Sequence, residues 1–275
     1  MRNLSLLFVA LYLSGSLLAQ NSADSLKNTP NDAIADDPAH FFTRIEIFNE
    51  LQYHNENDFY LNQTVVRTIV KIGKRFTTRV DLPFVYTSLT SAENLKQSGM
   101  GDISFRLLGY KFIDKPKSAL TASIEISMNT AQSPILGTGK NLLIPMITYT
   151  RGIPKEKMLL ALAFQQANSV SGDEARADIS FSKLQIYIIK MWSPRAWAVL
   201  QPEWYIDYVH GGVSMNLRSR LTFAPTPRLN IWVTPSVGIF GTFIARYQWS
   251  ADIGCRYYLF RNEIIARTHN NAYKK

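Results

Sequence analysis

The sequence predicts an all-β fold: a transmembrane up-and-down antiparallel β-barrel of about 12 strands. Three observations predict it. From Thr43 to Phe260 apolar and polar residues alternate with period two, the period of strands whose two faces meet different surroundings. The connectors alternate between tight turns and longer polar stretches, as they do in a barrel with short turns at one end and loops at the other. Only the extreme N-terminus holds an apolar run near the ~18 residues a spanning helix needs, which excludes a polytopic helical membrane protein.

The elements follow in chain order. Residues 1–19 read as an export signal: Arg2 is the positive start, Leu4–Leu13 the short apolar core, and cleavage is expected after Ala19. No cysteine follows that core, so lipoprotein anchoring is excluded. Residues 20–42 form a polar N-terminal segment, rich in Asn, Asp, Ser and Pro, that is too poor in large apolar groups to order itself alone. It is expected to face the periplasm or to lie in a lumen. Residues 43–260 are the barrel, and residues 261–275 a basic tail with Arg261, Arg267, Lys274 and Lys275 against Glu263.

Within the barrel the alternation places strands near 43–54, 59–73, 75–88, 101–113, 118–129, 141–151, 156–167, 177–191, 195–209, 213–225, 228–240 and 245–260. In 119–128, Leu120, Ala122, Ile124, Ile126 and Met128 oppose Thr121, Ser123, Glu125 and Ser127; a helix would bring Glu125 into any apolar stripe. In 215–223, Met215, Leu217, Leu221 and Phe223 oppose Asn216, Arg218, Arg220 and Thr222. Tight turns are expected at Gly73-Lys74, Asp114-Lys115-Pro116, Gly152-Ile153-Pro154, Ser193-Pro194 and Pro225-Thr226-Pro227. The longer loops are 87–100, 130–140 and 167–177.

Alternation alone does not say which face is wet. Twelve strands enclose more space than side chains readily fill, since about eight is the filled size. Aromatics of the apolar phase gather at strand ends: Tyr53, Phe84, Tyr86, Tyr208 and Trp249 at the loop side, Phe76, Phe223 and Tyr257 at the turn side. Such belts mark membrane interfaces. The final strand, Asp252-Ile253-Gly254 to Tyr258-Leu259-Phe260, resembles the terminal signal read by the outer-membrane assembly machinery, although fifteen residues follow Phe260. The apolar phase is therefore expected to face lipid and the charged phase the lumen.

That inner phase is nearly balanced: Arg44, Arg67, Lys71, Arg79, Arg106, Lys183, Arg218, Arg220, Arg246 and Arg256 against Glu46, Glu50, Asp81, Asp102, Glu125, Glu203, Asp207 and Asp252. Charges so placed must form cross-strand ion pairs, line water, or both. Arg106, Glu125, Glu203, Arg218 and Arg220 are the candidate pore-lining residues. Arg218 and Arg220 read either as a cationic stripe favouring anions or as structural partners of Glu203 and Asp207 on the preceding strand. Segments 142–150 and 159–165 are apolar on both faces, so part of the lumen is greasy or an internal segment packs there.

Gly99-Met100-Gly101-Asp102, followed by Leu108-Gly109-Tyr110-Lys111-Phe112, resembles the G-x-G-D…G-x-K-Y/F signature of the MetA-pathway phenol-degradation family. Asn141–Gly152 and Gln201-Pro202-Glu203 resemble that family's later strands, whereas Asn129-Thr130-Ala131 replaces its usual Pro-Thr-Gly. The resemblance implies an outer-membrane barrel that takes up small, often aromatic, compounds.

Other chemistry finds little support. The single cysteine, Cys255, precludes an intramolecular disulfide, and four histidines leave little for a His-rich metal centre. His210 and Ser214 at the outer rim are the nearest approach to a lipid hydrolase, but they straddle a Gly-Gly turn with no evident orienting group. Gly137-Thr138-Gly139-Lys140 lacks the upstream glycine of a phosphate loop. The formal charge of +9 is dispersed along the chain, which argues against nucleic acid and toward acidic lipopolysaccharide or solutes. The expectation is a non-enzymatic outer-membrane channel of a Gram-negative bacterium, without cofactor or metal, for passive uptake of small solutes. Its expected partners are outer-membrane lipids, the assembly machinery and a small-molecule solute. The alternatives are a structural or interaction barrel with a closed lumen and a rim-located lipid hydrolase.

Overall fold

The computed structural model describes residues 36–39, 41–54, 59–89, 95–241 and 247–259. The export signal, most of the polar segment after it, Arg246 and the basic tail lie outside the described residues. Thirteen strands follow in order: β1 (Arg44–His54), β2 (Phe59–Ile72), β3 (Phe76–Leu89), β4 (Leu95–Met100), β5 (Ser104–Lys115), β6 (Ser118–Ser127), β7 (Lys140–Ile153), β8 (Met158–Gly172), β9 (Ser180–Ser193), β10 (Ala196–Asp207), β11 (Val213–Thr226), β12 (Leu229–Phe240) and β13 (Trp249–Tyr258). All pairings are antiparallel, and β1 pairs with both β2 and β13, from Arg44↔Tyr258 to Tyr53↔Trp249. The wall is thus a closed barrel of twelve strands, which leaves no open edge.

The thirteenth strand, β4, pairs only with the upper part of β3, from Phe84↔Met100 to Leu89↔Leu95. It turns part of the expected 87–100 loop into a hairpin ribbon. The alternation did not reveal it because Lys96-Gln97-Ser98-Gly99 has no apolar face. Likewise β8 runs to Gly172, into the expected 167–177 loop, through a stretch polar on both faces.

Burial sorts the two phases as expected. Ile253 is 64% exposed, Leu162 48% and Ile47 47%, while their neighbours Asp252, Ala161 and Glu46 are buried. So large an apolar belt suits hydrocarbon rather than water. Phe84, Tyr86, Tyr208 and Trp249 stand exposed at the loop ends, and Phe76, Phe223 and Tyr257 at the turn ends. Tyr53 stacks between Tyr60 and Trp249, with centroids at 4.7 and 6.0 Å.

One irregularity bears on the lumen. Both ladders of β5 shift register around Leu107: Arg106 pairs with Arg79 and Glu125, Gly109 with Thr77, and Leu108 with Ile124. This β-bulge turns Leu107 and Leu108 both outward and changes the phase of the strand, so that Arg106, Gly109 and Lys111 all face inward.

Candidate functional site

The inward charges join into a belt along one arc of the wall, from β6 through β5, β3, β2 and β1 to β13. Arg106 lies 3.9 Å from Glu125, which also pairs with Arg79. Arg79 reaches Asp81 at 3.3 Å, and Asp81 accepts two bonds of 2.8 Å from Arg67. Arg67 lies 3.7 Å from Glu46, which binds Arg44 at 2.7 Å and Arg256 at 2.6 Å. From β13 and β1 the belt continues to β11, where Arg220 and Arg218 share Asp252 at 3.3 and 3.4 Å and Arg218 reaches Glu50 at 3.2 Å. Alternation forces this outcome, because cations and carboxylates on neighbouring strands point into one confined space and neutralise one another there.

The sequence-derived candidates are therefore only partly grouped. Arg106 and Glu125 meet across β5 and β6, and Arg218 and Arg220 stand two residues apart on β11. Neither Arg218 nor Arg220 forms the expected close ion pair with Glu203 or Asp207. Glu203 instead accepts from Gln185 at 2.8 Å, Gln201 at 2.6 Å and Tyr205 at 3.0 Å, with Lys183 at 3.3 Å. Asp207 turns to His210, at 3.0 Å. The reason is curvature: inside a barrel, long arginines reach across β12 to β13 and β1 as readily as along their own hairpin. A free cationic stripe is not formed.

Trp232 was missed by sequence reasoning. The guanidiniums of Arg220 and Arg256 sit 5.0 and 5.2 Å from its ring centroid, and its Nε1 donates to Asp252 at 2.8 Å. The ring lies against the backbone of Gly254, its cross-strand partner, where a Cβ would come within 2.4 Å of it. A tryptophan in the polar phase opposite a glycine was the available signal.

The N-terminal segment crosses the bore. Asp36 accepts from Trp197 Nε1 at 2.6 Å and Thr222 Oγ1 at 2.9 Å, and from Arg220 and Arg256 at 3.2 and 3.3 Å. Burial alone would raise the Asp36 carboxyl, but the guanidiniums of Arg256 and Arg220, with the Trp197 and Thr222 donors, hold it down to about 2. Phe42 joins Leu159, Ile189, Trp197, Val199 and Tyr258 in the buried cluster. Its ring meets Tyr258 edge-on at 5.5 Å. On the far side Phe41 covers the ammonium of Lys111, on β5, at 5.3 Å. Through Asp36, Phe41 and Phe42 the described residues 36–39 and 41–43 thus link β5 with β10, β11 and β13 across the turn-side half of the lumen. This places the described part of the polar segment in the lumen and explains the inward Leu159 and Ala161.

Nearer the loops, β7 and β8 present an uncharged inner wall of Ile144, Met146, Thr148, Ala163 and Ala167. Above it Asp102 folds loop 128–139: Oδ1 accepts from the Thr130 and Ala131 amides, Oδ2 from the Thr138 amide and hydroxyl, at 2.6–3.1 Å. Asp102 therefore belongs to the loop, apart from the charged belt. At the rim, Asp207 does orient His210, but the Ser214 hydroxyl is buried without a hydrogen-bond partner. Among the described residues no cluster of metal-ligating side chains occurs. All five turn-side connectors carry cations: Lys74 and Arg75, Lys115 and Lys117, Lys155 and Lys157, Arg195, and Arg228.

No family model matches the sequence, and no curated protein matches it. Solved structures share its fold. An outer membrane channel from Pseudomonas putida F1 aligns with a TM-score of 0.66 at 14% identity, covering 83% of this chain and 98% of that one. The NanC porin gives 0.56 at 10% identity, covering 78% of this chain and 100% of that one. The KdgM porin gives 0.53 at 8% identity, with 79% and 99% covered.

Proposed function

We propose that this chain is an outer-membrane channel for passive uptake of small solutes, hydrophobic and aromatic ones among them, whose turn-side half is crossed by the N-terminal segment. The observation that carries the reading is the contrast within the lumen. A self-paired charged belt lines one side, and the uncharged β7–β8 wall offers apolar surface on the other. The channels and porins of the same fold support it. A solute would pass the Asp102-held loop, move along the β7–β8 wall, and leave when residues 36–43 withdraw.

Because the belt is internally paired, it would discriminate weakly by sign of charge, unlike an open cationic ring. Short turns at one end and longer loops at the other support an orientation with the turns in the periplasm. The basic turn rim would then face phospholipid headgroups of the inner leaflet rather than lipopolysaccharide. The resemblance to the phenol-degradation family supports aromatic solutes as the first to try.

A second reading has its own observation: the segment tied to the wall through Asp36 suits a barrel that stays closed. Deleting residues 20–40 separates the two. Conductance of the intact chain supports the channel; current that arises only after deletion supports a plugged barrel.

A further inference from the structure

At one end of the belt three guanidiniums share two carboxylates. Arg67 holds both oxygens of Asp81, and Arg79 lies between Asp81 and Glu125. Arg106 has only Glu125 Oε2, at 3.9 Å, an oxygen that Arg79 already holds more closely. Glu46, the other nearby acid, is taken at short range by Arg44 and Arg256. The Nε of Arg106 is buried without an acceptor, and that of Arg79 has only Asp81 Oδ1, at 3.3 Å and without hydrogen-bond geometry. A buried N–H of a charged group left without an acceptor is costly, so the pair is a ready receptor for an anion. The bulge at Leu107 follows directly on Arg106, and bulges recur next to sites where a side chain is re-aimed for function.

The neighbouring wall narrows the class of anion. Next to Glu125 on β7 stands Ile144, and next to Ser123 stands Met146. Across from Thr148 on β8 is Ala163, a small apolar side chain on the inner face. Arg106 is the third residue of β5 from its loop end, whereas Phe41 covers Lys111, five residues further toward the turns. The site therefore lies on the loop side of the obstruction.

We propose that Arg106 and Arg79 form a carboxylate subsite in the lumen, which takes a small organic acid with its apolar body along Ile144, Met146 and Ala163. A planar carboxylate matches the two guanidinium edges as a spherical ion does not. The inference deepens the channel reading by naming a solute class, and rests on it for its physiological meaning. The binding itself does not require conduction.

The test is calorimetric titration of the folded, detergent-solubilised full chain with benzoate, with neutral benzamide and with acetate. Benzoate is expected to bind about tenfold more tightly than either, which is about one factor-of-ten step in the equilibrium constant. R106Q should remove the preference for benzoate over benzamide, and R106K should keep part of it. E125Q frees Arg79 and should strengthen benzoate binding, so the proposal stays testable if R106Q fails to fold. Equal binding of benzoate and benzamide, or an unchanged R106Q, overturns the subsite. Equal binding of benzoate and acetate overturns the role of the apolar wall. A protein that binds benzoate yet passes neither current nor solute refutes the channel and leaves the subsite standing; one that conducts without preferring benzoate refutes the subsite alone.

Discussion

Replacing Asp36 with alanine isolates the segment that obstructs the lumen. The carboxylate receives four donors, from Trp197, Thr222, Arg220 and Arg256, at 2.6–3.3 Å. Removing one side of a buried ion pair costs about 3–5 kcal/mol. Here Arg220 keeps Asp252 and Arg256 keeps Glu46, so the lower end, about 3 kcal/mol, applies. The loss falls on the docking of residues 36–43 and spares the wall, whose strands pair independently of them. At about 1.4 kcal/mol per factor of ten, the ratio of undocked to docked segment rises roughly a hundredfold. Planar-bilayer recording of the D36A variant should show a larger open fraction than the parent chain. Heat-dependent gel migration, retained in both, would confirm an intact barrel. An open fraction unchanged within about threefold, well short of the hundredfold expected, would refute the reasoning that Asp36 is the main anchor.

Further predictions follow from the same contacts. The Asp36 carboxyl lies near 2 against its ordinary 3.8, so its contribution is complete above about pH 4 and is lost as the pH falls toward 2. Acidification through that window should raise the open fraction, and D36N should lack this component; identical profiles in the two proteins would exclude it. Replacing Arg218 and Arg220 together with alanine leaves Glu50 and Asp252 unbalanced, so the salt-gradient reversal potential should move toward cations and the urea midpoint should fall. In G254A the new Cβ meets the Trp232 ring at 2.4 Å, which should cost about 1–3 kcal/mol and alter tryptophan emission. Ile253, 64% exposed on the outward face, should resist change to arginine by about 2–4 kcal/mol if it meets lipid, as measured by unfolding from bilayers.

The strands were legible because each wall residue chooses between two opposed environments, and the sequence records that choice at every second position. In β6, Ile124 is exposed to the outside while Ser123 and Ser127 are buried, as the alternation of 119–128 implies. Where both faces of a strand share one environment the record vanishes, which is why β4 and the end of β8 read as loops. The bulge at Leu107 was hidden because Leu107-Leu108 reads as one of several apolar doublets.

The candidate site was legible as composition but not as pairing. That Arg106, Glu125, Glu203, Arg218 and Arg220 face inward follows from phase. That Arg220 binds Asp36, 184 positions away, depends on barrel curvature and on a segment with no periodicity of its own. Lys111 was met only as part of a short motif, yet it is among the most buried side chains, held between Asp114 at 3.2 Å and the Phe41 ring.

The central claim is that the barrel conducts small solutes past a removable obstruction. Its most direct test is planar-bilayer conductance of the folded full chain beside the variant lacking residues 20–40, with boiled samples as controls. The account predicts discrete steps from both folded proteins, with the longer-lived openings in the variant. Silence from both, with their gel migration still that of folded barrels, and no uptake of labelled aromatic solutes into proteoliposomes, would contradict it.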